Sequence, residues 1–499
     1  MNRRVAASLG LALLTTLPAA AEVSLPAVLA DHMVVQRGVP VHVWGAASAA
    51  EAVVVTFRGE SGRTVADELG RWSLYLKGAE AGGPFAMTIQ GTNRLTLQDV
   101  LVGDVWMAAG QSNMQFELES AEGAAVEIPL ARHPQIRFLR VAHKTSAYPL
   151  EDVSTSGWTV CSPDTAPGFS AVAYFFVRDL HERLHVPLGV IDSSWGGTPV
   201  ASFTSLGAIG RDPALMPAIA HWAHLARDES TTRRTIEKET RDLDAATEQA
   251  KAEGRPAPPR PWHKAFEAWA PAAIYNGMIA PVTSFPIRGA IWYQGESDAS
   301  PERSPVYARL FEAMIRDWRE AWGVGEFPFL FVQLANWTAG KENAWPELRE
   351  AQTETLSLAR TGMAVTIDVG DPTDIHPRDK KTVGTRLALA ARAIAYGERV
   401  EHLGPLVRQV SPEAATLRVS FDHADGLAFR GEAGARGFEI AGADRKYVKA
   451  QARIEGTSLV ISSAEVPAPR SLRYAWADNP EVSLYNAQGL PASPFRWGE

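Results

Sequence analysis

Gly110-Gln111-Ser112-Asn113-Met114 sets a serine hydroxyl where a mostly apolar run, Leu101 to Ala109, gives way to a polar turn. A hydroxyl at such a junction points out of a sheet, beside backbone N–H groups able to hold an oxyanion. A nucleophile of this kind needs a base. Asp374-Ile375-His376-Pro377 supplies an imidazole whose ordinary pKa, about 6.5, suits proton transfer at neutral pH, and Asp374 stands two residues earlier to orient the ring. Trp292-Tyr293-Gln294-Gly295-Glu296-Ser297-Asp298 adds a side-chain amide, Gln294, that could donate to a developing oxyanion. It also adds a rival carboxylate, Glu296. Asp192-Ser193-Ser194-Trp195-Gly196-Gly197-Thr198-Pro199 carries paired glycines whose backbone approaches a ligand closely, with Ser193 and Ser194 as competing hydroxyls. Each stretch alone is also an ordinary turn or helix cap; together they describe acyl transfer.

Other chemistries are excluded. The serine is not in a Gly-x-Ser-x-Gly elbow. No His-Glu-x-x-His pair, dinucleotide fingerprint or Walker loop occurs, so neither a metal nor a cofactor is expected. Cys161 is the only cysteine, which rules out an intramolecular disulfide and suits a structural thiol. A net charge of −8 without a basic run argues against a nucleic-acid partner. Fifteen tryptophans are many, and Trp195, Trp292, Trp337 and Trp345 fall near strand ends where flat rings stack on sugar.

The elements that must position these residues follow from periodicity. Residues 1–21 read as an export signal: Arg3-Arg4, an apolar run from Val5 to Leu17, and small residues to Ala21. Cleavage there leaves a periplasmic or secreted chain without a membrane anchor. Residues 22–98 read as an N-terminal β-domain of sandwich or jelly-roll type, with short runs punctuated by glycine. From 99 to 400 apolar strands alternate with helical patterns: Asp104 to Ala109, Leu188 to Asp192, Gly289 to Tyr293, Phe329 to Leu334 and Ala364 to Val369 are the strands, Pro305 to Trp322 the clearest helix. Such alternation predicts a parallel sheet wrapped by helices, with ligands at the carboxyl ends of its strands. A charged, alanine-rich segment with a proline-rich return, about 205–262, predicts a helical insertion. β texture returns over 401–499, as a separate domain or packed with the first.

These four motifs, in this order, resemble those of sialate O-acetylesterase-like proteins in the SGNH (GDSL-like) hydrolase superfamily. Asp31 to Arg37 resembles the family's opening β-segment, and Tyr474 to Pro480 its closing one. The resemblance implies a flavodoxin-like α/β/α core with a parallel sheet and accessory β-domains. It implies Ser112 as nucleophile and His376 as base, with Asp374 or Glu296 as the carboxylate, since the superfamily's usual aspartate position is Thr373 here. Ser112 N–H, a glycine N–H (Gly197, or Gly196) and the Gln294 amide would form the oxyanion hole. Trp195, Trp292 and Asn113 are the expected substrate contacts. The expected partner is an acetylated saccharide, with hemicellulose fragments such as xylan or xyloglucan favoured over O-acetyl sialic acid; a non-catalytic carbohydrate-binding protein is the rival from another class.

Overall fold

The computed structural model describes residues 22–255, 258, 266–338, 340, 343–431 and 434–498. The expected export segment and most of the proline-rich return lie outside the described residues. β-branched runs between turns make β1 (Val34–Gln36), β2 (Val41–Ala46), β3 (Ala52–Phe57), β4 (Glu60–Val65), β5 (Arg71–Leu76) and β6 (Gly82–Gln90). In β5 alternate residues Trp72, Leu74 and Leu76 are buried, as a strand with one wet face requires. β4 is the strand the sequence hides: Glu60-Ser61-Gly62-Arg63-Thr64-Val65 buries none of its side chains and pairs with β3 alone.

The core then runs β7 (Arg94–Gly110), α1 (Ser112–Gln115), α2 (Ala124–Leu130), β8 (His133–Val141), β9 (Thr155–Cys161), α3 (Ala171–Leu184) and β10 (Leu188–Ser194). The helical insertion follows as α4 (Leu206–Gly210), α5 (Met216–Arg227) and α6 (Glu229–Ala252). After α7 (Phe266–Trp269) come β11 (Gly289–Tyr293), α8 (Ser304–Trp322), β12 (Phe329–Val332), α9 (Trp345–Glu354), β13 (Thr361–Ala364) and α10 (Lys380–Ile394). Leu310, Phe311, Met314, Ile315 and Trp318 lie buried on one side of α8, at the predicted helical spacing.

The central sheet has the order β13-β12-β11-β7-β10-β8-β9 and is parallel except for β9. Helices α3 and α10 pack together, as do α8 and α9. From β7 the chain builds β8, β9 and β10 on one side, then crosses to lay β11, β12 and β13 on the other. That reversal makes a crevice at the carboxyl end of β7, where α/β sheets take their ligands. Ser194 and Tyr293 are both in register with Gly110, so the loops after β10, β7 and β11 start at one level. Gly110 must be glycine: its φ is +131°, and a Cβ there would stand 2.2 Å from the Tyr293 carbonyl oxygen.

Two expectations need correction. The strand expected over Ala364 to Val369 ends at Ala364. Beyond it the Val365 carbonyl accepts from Arg386, and Thr366 Oγ1 donates to the Gln333 carbonyl, so side chains take over from the ladder. The boundary expected at 98/99 falls inside β7, whose first half pairs with β6 and whose second half joins the parallel sheet. The C-terminal strands form two four-stranded antiparallel sheets and a two-stranded one, Ala428–Phe429 with Leu484–Tyr485. Of the larger two, one runs through Leu406–Glu413, Thr416–Asp422, Ser458–Ser462 and Gln451–Glu455; the other through Val448–Lys449, Phe438–Ala441, Ser471–Tyr474 and Phe495–Trp497. Among the described residues no strand of this region pairs with an N-terminal one.

Candidate active site

Ser112 opens α1 at the switch point, and the loop after β13 brings His376 across to it. His376 Nε2 lies 2.8 Å from Ser112 Oγ, across 264 residues of sequence. Burial lowers the imidazole's pKa below its ordinary value, the Lys380 charge lowers it further, and Asp374 opposes both. The ring is therefore neutral, and able to accept a proton, over a wider range than a free histidine.

Asp374 sits beside the ring without gripping it. Its Oδ1 accepts the His376 backbone N–H at 2.9 Å and lies 3.6 Å from Nδ1, with the side chain about half exposed. Glu296, the alternative carboxylate, makes no hydrogen bond to His376. It is half-buried on the cleft wall, burial raises its pKa, and Oε1 accepts from Asn113 Nδ2 at 2.6 Å.

The glycine loop after β10 arrives next to the serine. A Cβ on Gly196 would lie 3.2 Å from Ser112 Cβ, so a side chain there would crowd the nucleophile. Gly196 N–H is already donated to Gln115 Oε1 at 2.8 Å. Gly197, in the left-handed region at φ +72°, lines the same cleft. Gln294 corrects the expectation placed on it. It is fully buried, its Nε2 donates to the Thr198 carbonyl and to Asp298 Oδ2, and its Oε1 accepts from Tyr307. Both amide hydrogens are spent inside the core, and Gln294 does not line the cleft.

Ser112 and His376 form part of the wall of a 1060 Å³ cleft. Its other walls include Trp195, Trp269, Trp337, Trp345, His143, Arg303 and Asn343. Trp195 lies flat on His143, centroids 4.2 Å apart and planes within 4°, and Trp337 and Trp345 adjoin at 5.2 Å. Trp292, expected here, belongs to the core: it is fully buried against Phe203, Phe311 and Trp318. Because every residue of β11 is buried, alternation could not tell its faces apart. Asn113 is likewise withdrawn from the cleft and hydrogen-bonded on all sides. The competing serines are spent too: Ser194 Oγ donates to Asp192 and Ser193 Oγ to the Met278 carbonyl. Cys161 is buried with its thiol pushed up to about 12, an inert structural group.

Sequence reasoning missed His143, Gln115, Trp269, Arg303 and Lys380. Lys380 had no visible signal, since a lysine at a helix start reads as solvated. Among the described residues no group of three or more His, Cys, Asp or Glu side chains could hold a metal.

A serine hydroxyl in contact with a histidine, at the switch point of a parallel sheet and under an aromatic cleft, defines a serine esterase with an SGNH-type core. Comparisons narrow the class. The sequence model of a family described as carbohydrate esterase, sialic acid-specific acetylesterase, matches residues 263–393. The sialate O-acetylesterase of Rattus norvegicus is 30% identical, over 91% of this chain and 90% of its own length; that of Homo sapiens is 29% identical, over 91% and 88%. A crystal structure of a carbohydrate acetylesterase from Xanthomonas citri is 36% identical and superposes with a TM-score of 0.83, covering 95% of this chain and 99% of that one. The chain belongs to the sialate O-acetylesterase-like family of carbohydrate esterases.

Proposed function

We propose that this protein removes acetyl groups from saccharides by a serine–histidine mechanism, and that hemicellulose-derived oligosaccharides are its substrates. The observation that carries the mechanism is the 2.8 Å contact of His376 Nε2 with Ser112 Oγ on the wall of an open, tryptophan-lined cleft. His376 takes the Ser112 proton as Oγ attacks the acetyl carbonyl carbon. The tetrahedral oxyanion is held by the N–H groups of Ser112 and Gly197, the glycine donor not committed to Gln115. As the intermediate collapses, His376 returns the proton to the departing sugar oxygen, leaving an acetyl-serine. Water, deprotonated by His376, then attacks the acetyl carbonyl, and Ser112 Oγ leaves with the proton as acetate departs. Asp374, 3.6 Å from Nδ1, favours the transient imidazolium by charge rather than by a tight bond.

The substrate reading rests on the shape of the cleft. Trp195 and Trp337 stand half-buried on the wall of an open volume larger than one acetylated sugar needs, which suits stacking on pyranose faces, while the buried Trp269 and Trp345 shape the wall around them. A sialate O-acetylesterase, the activity in the curated relatives' names, is the second reading, favoured by the cationic wall residue Arg303. Ser112→Ala should fold and lose at least about 10⁴-fold in kcat on an aryl acetate. Retained turnover would remove Ser112 from the mechanism. Acetate release by the wild type from acetylated xylo-oligosaccharides and from O-acetyl sialic acid, compared by kcat/KM, decides the substrate.

A further inference from the structure

Ser112 is flanked by two buried amides, each engaged by segments from elsewhere in the chain. On one side Gln111 Oε1 accepts from Ser297 N at 3.2 Å and from Gly295 N at 3.4 Å, tying α1 to the loop after β11. On the other, Asn113 Nδ2 donates one hydrogen to Glu296 Oε1 at 2.6 Å and the other to the Ile375 carbonyl at 3.0 Å, while Oδ1 accepts from Lys380 Nζ. The amide orientation is set by its neighbours, because a lysine ammonium cannot face an NH₂ group. Ile375 immediately precedes His376. One side chain thus joins the neighbour of the nucleophile to the neighbour of the base.

Lys380 is fully buried at the start of α10, with its ammonium over the rings of Phe116 and Tyr293. Holding a charge out of water at this place is costly, and the proposed mechanism gives it no proton to move. We infer that Asn113 and Lys380 are positioning residues: the Lys380–Asn113–Glu296 chain fixes the His376 loop so that the imidazole stays in line with Ser112. The inference rests on the esterase reading above and adds the parts that hold its base in place.

The electrostatics agree with the geometry. Around His376 stand Asp374 in its own loop, Lys380 from α10 and, behind Asn113, Glu296 from the loop after β11. Burial brings Lys380 down to about 7 against the pull of Glu296, Asp374 and Asp379. Below neutrality the lysine is charged and makes His376 harder to protonate, which lowers the acid limb of activity. Removing that charge must therefore move the limb to higher pH.

The test uses Asn113→Ala and Lys380→Gln in the full chain, the glutamine keeping a donor for Asn113 Oδ1 without the charge. Asn113→Ala should lower kcat on an aryl acetate by about 10- to 100-fold with KM within twofold, as for a displaced catalytic group. Lys380→Gln should raise the acid limb of kcat/KM, and the His376 pKa read by NMR titration, by roughly 0.5 pH unit. The NMR titration needs no turnover. An unmoved His376 pKa in folded Lys380→Gln overturns the inference, as does an Asn113→Ala loss confined to KM or matched by the unfolded fraction in thermal melts. A shifted pKa in a protein without esterase activity would instead sink the esterase reading and leave the positioning role standing.

Discussion

The two β-regions are joined to the catalytic core in opposite ways, and each uses one of the flanking motifs. The opening motif works at the amino end of the sheet. Arg37 makes a two-pronged contact with the buried Asp104 carboxylate at 2.9 and 2.8 Å, Gln36 donates to the same group at 2.9 Å, and Tyr396 closes it at 3.0 Å. Asp104 lies six residues before Gly110 on β7, about 20 Å from the cleft end. The closing motif works at the cleft end. Arg349, fully buried in α9, donates to the carbonyls of Leu334, Ala335, Ala477 and Asp478, each at 2.8 Å. The Asp478 carboxylate accepts from Asn343 Nδ2 at 3.0 Å, and its backbone carbonyl also accepts the Trp337 N–H at 3.3 Å. The N-terminal region therefore secures the strand that carries the nucleophile, whereas the C-terminal region braces the wall that faces the sugar. Both attachments hold the fold together, but only the second reaches the wall of the cleft.

Three substitutions would break or sharpen this contrast. Arg349→Leu should have the largest effect, because it removes the donor to four carbonyls at once, two of them on buried residues. A loss of roughly 4 kcal/mol or more is expected, read as a fall in the urea midpoint. Arg37→Ala should cost about 3 kcal/mol by leaving Asp104 short of its charge partner, with kcat and KM on acetylated oligosaccharide within twofold of wild type. A raised KM there would erase the distinction between the regions. Asp478→Ala should have the smallest effect on stability but raise KM about fivefold by releasing Asn343 from its carboxylate partner on the wall, with kcat retained. An unchanged KM would mean that the wall stands without the closing motif.

Much of the scaffold was legible because apolar period states it directly. β11 starts and ends at the predicted residues, and α8 begins one residue before its predicted start. Ser112 and His376 were legible because few side chains suit their chemistry. What the sequence conceals is direction. Gln294 and Trp292 sit on the expected loop and strand, yet one turns its amide into the core and the other its ring. Asn113 looked like a substrate contact because it is polar and adjacent to the nucleophile, but three partners from distant segments claim it. Lys380 is the extreme case: its burial depends on Asn113 and two aromatic rings far away in sequence.

The length of β7 has a practical outcome for anyone dissecting the enzyme. An excision at residue 99 would sever the backbone inside a hydrogen-bonded ribbon and strip β1 and β6 from its flanks. The exposed ladder would then be Val100 to Gly103, at the root of the strand that presents Ser112. A minimal catalytic fragment made that way carries a raw sheet edge, open to pairing with other chains. The smallest soluble active unit should therefore keep the first β-region, however dispensable it looks beside the cleft.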